Sequence, residues 1–287
     1  IEIYVKRFVG SGPEPHRHLW LLHGGPVNSD GVSSLMAPLI ELTPSTTTYA
    51  FDHRGTGRST RLECSESWDD EESARQCIDE LVDRWGQDIH EFSTTAAARD
   101  LDFLIRHLSG EASEVFTYGV SYGTFLSQRY LLLFPDGVDG AILDGIASPE
   151  FSGHEINEQS QAAMRHLLEL CADDDFCREK LGADPETFLR NLLERLDDGH
   201  CQPLHELATD MDSTASLLLL TSIQTLMEQG WYGRLVIPAL ITRAERCEPA
   251  DAEAFEALGN LVFDYDDESS DSTELISHVH LNDLWDE

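Results

Sequence analysis

Apolar and polar positions follow two different rhythms along this chain, and the change comes near Ser148. In the first half, short apolar runs alternate with helix-period segments. Ile1, Ile3 and Val5 alternate with Glu2, Tyr4 and Lys6, which predicts an edge strand over 1–9. Gly10–His16 is a Gly/Pro turn, and the apolar run His18–Leu22 predicts a buried strand. Helix periodicity covers Ser33–Leu42 and stops at Pro44, and the β-branched and aromatic stretch Thr46–Phe51 predicts the next strand. Residues 52–59 are a loop by composition, and the polar stretch Cys64–Trp85 predicts a helical excursion. Ala97, Leu101, Leu104, Ile105 and Leu108 form one stripe of a helix over Ala96–Leu108, with Thr94 or Thr95 as its cap. A strand at Val115–Val120, a helix through Phe125–Phe134 and a strand at Gly140–Ile146 follow. Strands alternating with helices predict a mostly parallel sheet covered on both faces.

From Ser148 onward the period-two signal is lost. Helical patterns succeed one another at Ile156–Cys171, Pro185–Leu196, Ser213–Gln229, Leu235–Cys247 and Ala252–Phe263. The expected division is therefore a core over 1–147 and a helical cap over 148–287. Asp264–Ser272 is an acidic break, and Leu275–Leu284 is amphipathic without a clear helix or strand period. There are no internal repeats.

At 287 residues and 41% hydrophobic content, the chain has enough apolar material for a large α/β domain with an insertion. Its 54 acidic and 19 basic residues give a net charge of −35. That charge argues against nucleic acid and anionic membrane surfaces as partners, since both demand cationic patches. The longest apolar run, around Leu217–Leu220, is only helix-sized. Neither an initiator Met nor a signal-peptide pattern stands at Ile1, so a mature or trimmed product is expected. Six cysteines are present, and four fall into short-range pairs, Cys64/Cys77 and Cys171/Cys177. No C-x-x-C and no His at zinc spacing occurs, so neither a metal nor a cofactor is expected. Disulfides in a secreted or extracytoplasmic protein are one reading of the pairs; buried thiols in a cytoplasmic one are the other.

The chemistry concentrates at Gly119-Val120-Ser121-Tyr122-Gly123, a G-x-S-x-G box between a predicted strand and a predicted helix. That context puts a serine on a sharp turn, where its hydroxyl is presented and the next N–H faces outward at a helix start. Ser121 is the candidate nucleophile, and the Tyr122 N–H a candidate oxyanion donor. The alternative is a tight structural turn.

HGGP at 23–26, DHRGTGRS at 52–59, TTAAARDLDFLI at 94–105, GVSYGT at 119–124 and LDG at 143–145 occur in order. Together they resemble the proline iminopeptidase and tripeptidyl aminopeptidase group of serine peptidases with the α/β-hydrolase fold. CADDDFC at 171–177 resembles the cap of the tripeptidyl aminopeptidase branch. The resemblance implies release of short peptides or proline from free N-termini, with a cap admitting short substrates. It implies an oxyanion hole of the Tyr122 N–H with that of Gly24 or Gly25. Val27 stands where the group usually has a further glycine. His23 is read as a local hydrogen-bonding residue, because the triad order in this fold is Ser, acid, His. Asp52, Arg54 and Ser59 are read as fixing their own loop. Asp144 closes a strand and is weighed as the acid, although the aspartate of the LDG motif is usually not catalytic. No Gly-His follows the cap pattern, and His278 and His280 lie in a stretch resembling the end of the cap. The expectation is that the last two core strands, with acid and His, lie on a C-terminal segment or a second chain. Glu155 and Glu158 are candidates for holding a substrate ammonium. Competing readings are an esterase on the same fold, or an inactive fragment that binds peptides without cleaving them.

The charge generates one prediction already. Carboxylate repulsion is screened by salt, so the melting temperature should rise from low to molar NaCl. A flat profile by differential scanning calorimetry would contradict it.

Overall fold

The computed structural model describes residues 1–12, 17–65, 71–110, 114–149, 153–211, 213–263, 272–280 and 283. For 153–157, 258–263 and 273 it describes the backbone alone. The chain divides into two compact units, Ile1–His154 with Ser269–Glu287, and Glu155–Glu268.

The first unit is a five-stranded sheet in the order β1-β3-β2-β4-β5. Its strands are β1 (Val5–Phe8), β2 (Arg17–Leu22), β3 (Thr46–Phe51), β4 (Glu114–Val120) and β5 (Gly140–Asp144). β1 runs antiparallel to β3, as suits an edge, and the other pairings are parallel. The helices are α1 (Asp30–Ser33), α2 (Met36–Leu42), α3 (Glu71–Trp85), α4 (Thr94–Leu108) and α5 (Tyr122–Leu133), with a 3₁₀ turn over Gly86–Glu91. The fold is α/β, a mostly parallel sheet flanked by helices, as the alternation of strand and helix patterns predicts.

Two local expectations are corrected. The single helix over 33–42 is two short ones, because Pro38 lacks the N–H for an interior turn and is accommodated near the start of α2. The cap of α4 is Ser93, whose Oγ accepts from the Ala96 N–H at 3.3 Å, not Thr94 or Thr95. Thr94 is instead fully buried, its side chain committed elsewhere.

One face of the sheet packs Trp20, Leu22, Tyr49 and Phe51 against Ala97 and Leu101 of α4 and Phe125, Leu126 and Tyr130 of α5. On the other face Leu21 and Ala50 meet Val32 and Met36. Two of the polar atoms inside are paired across the core, whereas among the described residues Thr48 Oγ1, Trp85 Nε1 and Tyr130 OH are buried without a hydrogen-bond partner. Trp20 Nε1 donates to Ser109 Oγ at 3.0 Å and Tyr49 OH to the Leu108 carbonyl at 3.0 Å.

The ambiguous late segment resolves into α13 (Thr273–Val279), whose Leu275 and Val279 are fully buried in this same core. Ser272 Oγ donates to the Leu62 carbonyl, and Glu274 Oε1 accepts from Cys64 N at 3.5 Å. These contacts group α13 with the first unit, whereas the sequence reading grouped it with the helical half. The acidic break itself lies almost entirely outside the described residues. At the far edge, β5 leaves Ile142 52% exposed, and Ile146 just beyond it 60%.

Among its described residues the second unit is built of helices: most of α6 (Gly153–Asp173), then α7 (Asp175–Leu181), α8 (Pro185–Asp197), α9 (Gln202–Asp210), α10 (Ala215–Glu228), α11 (Gly230–Arg246) and α12 (Pro249–Phe263). Leu192, Leu196, Leu219, Ile237 and Ile241 are at the centre of its own core. Disulfides join Cys64–Cys77, Cys171–Cys177 and Cys201–Cys247. The last, 46 residues apart, ties the start of α9 to the end of α11 and has no short-range signature in the sequence. No helix among the described residues is long and apolar enough to cross a membrane.

Candidate active site

Parallel strands β2, β3, β4 and β5 point their C-terminal ends the same way, and the residues just past those ends share one edge of the sheet. This is where open α/β sheets place ligands. Leu22 pairs with Gly119 and Val120 with Asp144, so His23-Gly24, Ser121 and Gly145 emerge side by side.

Ser121 joins β4 to α5 in one step, with φ 52° and ψ −122°. A non-glycine residue there carries about 1–3 kcal/mol of backbone strain. Hydrogen bonds hold it: its N–H donates to the Asp144 carbonyl at 3.0 Å, and its own carbonyl accepts from Thr124 N at 2.8 Å and Thr124 Oγ1 at 2.7 Å. Thr124 Oγ1 in turn accepts from Ala147 N at 2.8 Å. The flanking glycines are steric necessities. A Cβ at Gly119 would stand 2.3 Å from the Gly123 carbonyl oxygen, and one at Gly123 2.1 Å from that of Leu22. The Ser121 side chain is exposed, and the Tyr122 N–H opens α5.

The loop after β2 presses on this turn. A Cβ at Gly24 would lie 2.9 Å from Ser121 Cβ and 3.3 Å from its Oγ. Gly25 has φ 103° and precedes a cis peptide to Pro26. The Gly24 carbonyl accepts from Val27 N at 3.0 Å and from His23 Nδ1 at 3.1 Å, which turns the Gly25 N–H to the opposite side. The Gly25 carbonyl accepts from His280 Nε2 at 3.0 Å. His280 therefore reaches the glycine loop from the segment after α13, a placement sequence reasoning missed. Its signal was only a late histidine in an amphipathic stretch.

Two buried ionic anchors fix the neighbouring loops. Asp52, fully buried, accepts from Ser29 N, Ser29 Oγ and Arg58 N at 2.9, 2.6 and 2.8 Å. Gly57 must be glycine for this, because a Cβ there would stand 2.4 Å from Asp52 Oδ2. Arg54 makes a bidentate pair with Asp100 at 2.6 and 2.7 Å and donates to the Glu91 carbonyl at 2.7 Å. Ser59 Oγ donates to the Asp52 carbonyl at 2.7 Å.

Beneath Ser121 runs a third buried chain. Thr94 Oγ1 meets Tyr122 OH at 2.8 Å, and Tyr122 OH meets His53 Nε2 at 3.2 Å. His53 Nδ1 lies 2.6 Å from the Arg54 carbonyl and must donate to it, so neutral Nε2 accepts from Tyr122. Burial holds His53 neutral, its pKa down at about 4, and pushes the Tyr122 phenol well above its ordinary value.

Among the described residues, no histidine or carboxylate bonds Ser121 Oγ. The Asp144 side chain accepts from Tyr118 OH at 2.7 Å, and this exposed contact turns it to its own strand neighbour. Glu158 is exposed on α6; the side chain of Glu155 lies outside the described residues. Cys64, Cys77 and Glu274 cluster closely, but the two sulfurs are joined in a disulfide.

A protein-family model for the alpha/beta hydrolase fold matches residues 17–180, more than half of the chain. The chain belongs to the alpha/beta hydrolase fold family. Over 175 residues it is 28% identical to a tripeptidyl aminopeptidase of Streptomyces coelicolor, covering 52% of this chain and 32% of the relative. A tripeptidyl aminopeptidase of Streptomyces lividans is 28% identical over 180 residues, with the same coverage. The match thus spans about a third of the length of these curated relatives. An esterase from Exiguobacterium antarcticum gives a TM-score of 0.38 at 18% identity, over 84% of this chain and 69% of that one.

The state of His53 sets an acid limit on the hydrolase core. Its pKa is lowered on folding, from 6.5 to about 4, so the unfolded chain binds the extra proton first. Stability is intact above pH 6.5 and falls towards pH 4, by about 3 kcal/mol for this one group. Urea midpoints between pH 7 and 4.5 should drop steeply in the native chain and less so in His53→Gln. Equal slopes would contradict this assignment.

Proposed function

We propose that this chain carries the nucleophilic half of a serine aminopeptidase that releases short peptides or proline from free N-termini. The observation that carries the reading is Ser121 on a strained strand-to-helix turn, with the Gly24–Gly25 loop packed against it. In the proposed reaction Ser121 Oγ attacks the scissile carbonyl and loses its proton to a histidine base. The oxyanion is met by the Tyr122 N–H and that of Gly24 or Gly25. Each such donor is worth about 3 kcal/mol in the transition state. The base returns the proton to the departing amine, and water then hydrolyses the acyl-enzyme.

Acid and base come, in this proposal, from a C-terminal segment or a second chain. The exposed β5 edge, with Ile142 and Ile146, is where a further strand would pair. Glu158, with Glu155, is proposed to hold the substrate ammonium, and no metal or cofactor takes part. Three disulfides with no free cysteine among the described residues support an oxidising, extracytoplasmic location. The tripeptidyl aminopeptidase relatives favour a peptide substrate over an ester.

A second reading has its own support. Because Ser121 Oγ has no base among the described residues, the chain alone would bind peptides and turn them over poorly. Aminoacyl and tripeptidyl anilides and short acyl esters, assayed at high protein concentration, separate the cases. Anilide turnover abolished by Ser121→Ala supports the aminopeptidase. Ester-only turnover sinks it, and turnover of neither leaves the peptide-binding reading standing.

A further inference from the structure

The helical unit holds a groove of about 620 Å³ between α6, α10 and α11, within the size range of small-molecule sites. Its apolar lining includes Met164, Leu217, Leu220, Ile223 and Met227, and Leu217 and Leu220 are 53% and 43% exposed. Methionines there suit a site that adapts to varied side chains. Along α10 the lining positions 217, 220, 221, 224 and 228 form one stripe, about 16 Å long at 1.5 Å per residue. That length holds an extended chain of up to about five residues.

The polar lining decides between occupants. Gln161, Thr221 and Gln224 are distributed along the groove. Amides and a hydroxyl repeated beside an apolar stripe match a peptide backbone, whereas an acyl tail would leave them unused. At one end stands Arg234, whose Nε donates to the Met227 carbonyl at 3.3 Å. Among the described residues it has no carboxylate partner, in a chain where acids outnumber bases 54 to 19. Its neighbours in the unit behave differently: Arg190 pairs with Glu186, Arg195 with Glu245, and Arg243 with Asp251. The terminal nitrogens of Arg234 are thus left for a planar anion. Glu228 lies at the same end and disfavours a phosphate dianion relative to a single carboxylate.

We propose that this groove binds a short apolar peptide of up to about five residues through its C-terminal carboxylate, with Arg234 as the anchor. The groove is lined by residues of the helical unit alone, and its ligand has the chemistry of an aminopeptidase product. In the full chain carrying Ser121→Ala, binding is read without cleavage, so failure of the groove and failure of the catalytic reading are distinguishable. Trp231, exposed in the first turn of α11 and stacked on Tyr232, supplies a fluorescence signal, with Trp231→Phe as its control. The peptide Ala-Leu-Leu should bind one to one, and its C-terminal amide at least tenfold more weakly. Arg234→Gln should weaken the free acid about tenfold and leave the amide unchanged, with far-UV circular dichroism unaltered. Leu220→Glu should weaken both. Absent binding, equal affinity for acid and amide, insensitivity to Arg234→Gln, or tighter binding of dodecanoate would each overturn the proposal.

Discussion

A helix that starts directly at the end of a buried strand needs the chain to reverse within a single residue, and Ser121 absorbs that reversal. Its φ of 52° is unfavourable, so everything around it must hold it there. The Asp144 carbonyl holds its N–H, Thr124 holds its carbonyl, and glycines at 119 and 123 let the backbone of β2 and α5 come within the distance that a Cβ would occupy. The outcome is chemical as well as steric. The hydroxyl is turned outward beside the Tyr122 N–H that opens α5, the arrangement needed for stabilising an oxyanion.

The remaining loops are organised to keep that turn company. Asp52 ties the loop after β3 to the loop after β2, and Arg54 ties it to Asp100 on α4. Asp52 accepts three hydrogen bonds and Asp100 a bidentate pair from Arg54, which is what makes burial of their charge tolerable. Below Ser121, the Thr94–Tyr122–His53 chain uses the residue next to the nucleophile as a post into the core. His280 adds a hold on the Gly25 carbonyl from a segment 255 residues away. Long-range contacts of this kind, with the buried Leu275 and Val279, fasten α13 to the core.

Much of this was legible in the sequence because it rests on local rules. The period-two and continuous apolar runs located β2, β3, β4 and β5, and G-x-S-x-G between strand and helix located the turn. Roles of Asp52, Arg54 and Ser59 as loop-fixing groups follow from polar side chains within one glycine-rich loop. What escaped was non-local. The Cys201–Cys247 bridge and the His280 contact depend on tertiary neighbours that no spacing encodes. The contacts of Leu275 and Val279 with the first unit's core were not legible because an amphipathic stripe says that a face is buried without saying against what. The break between α1 and α2 came from Pro38, a residue the periodicity count passed over.

The central claim is that the fold singles out Ser121 by geometry. It is tested by reacting the folded chain with a small fluorophosphonate and mapping the adduct by peptide mass spectrometry. Even without a base, the Tyr122 N–H beside Ser121 favours charge developing on the phosphonyl oxygen there over any other exposed serine, so a slow adduct should form at this residue first. Selective modification of Ser121 is therefore the expected result, lost on unfolding in urea and absent in Ser121→Ala. Labelling spread over many serines, or equal labelling of Ser121 in the unfolded chain, would contradict it.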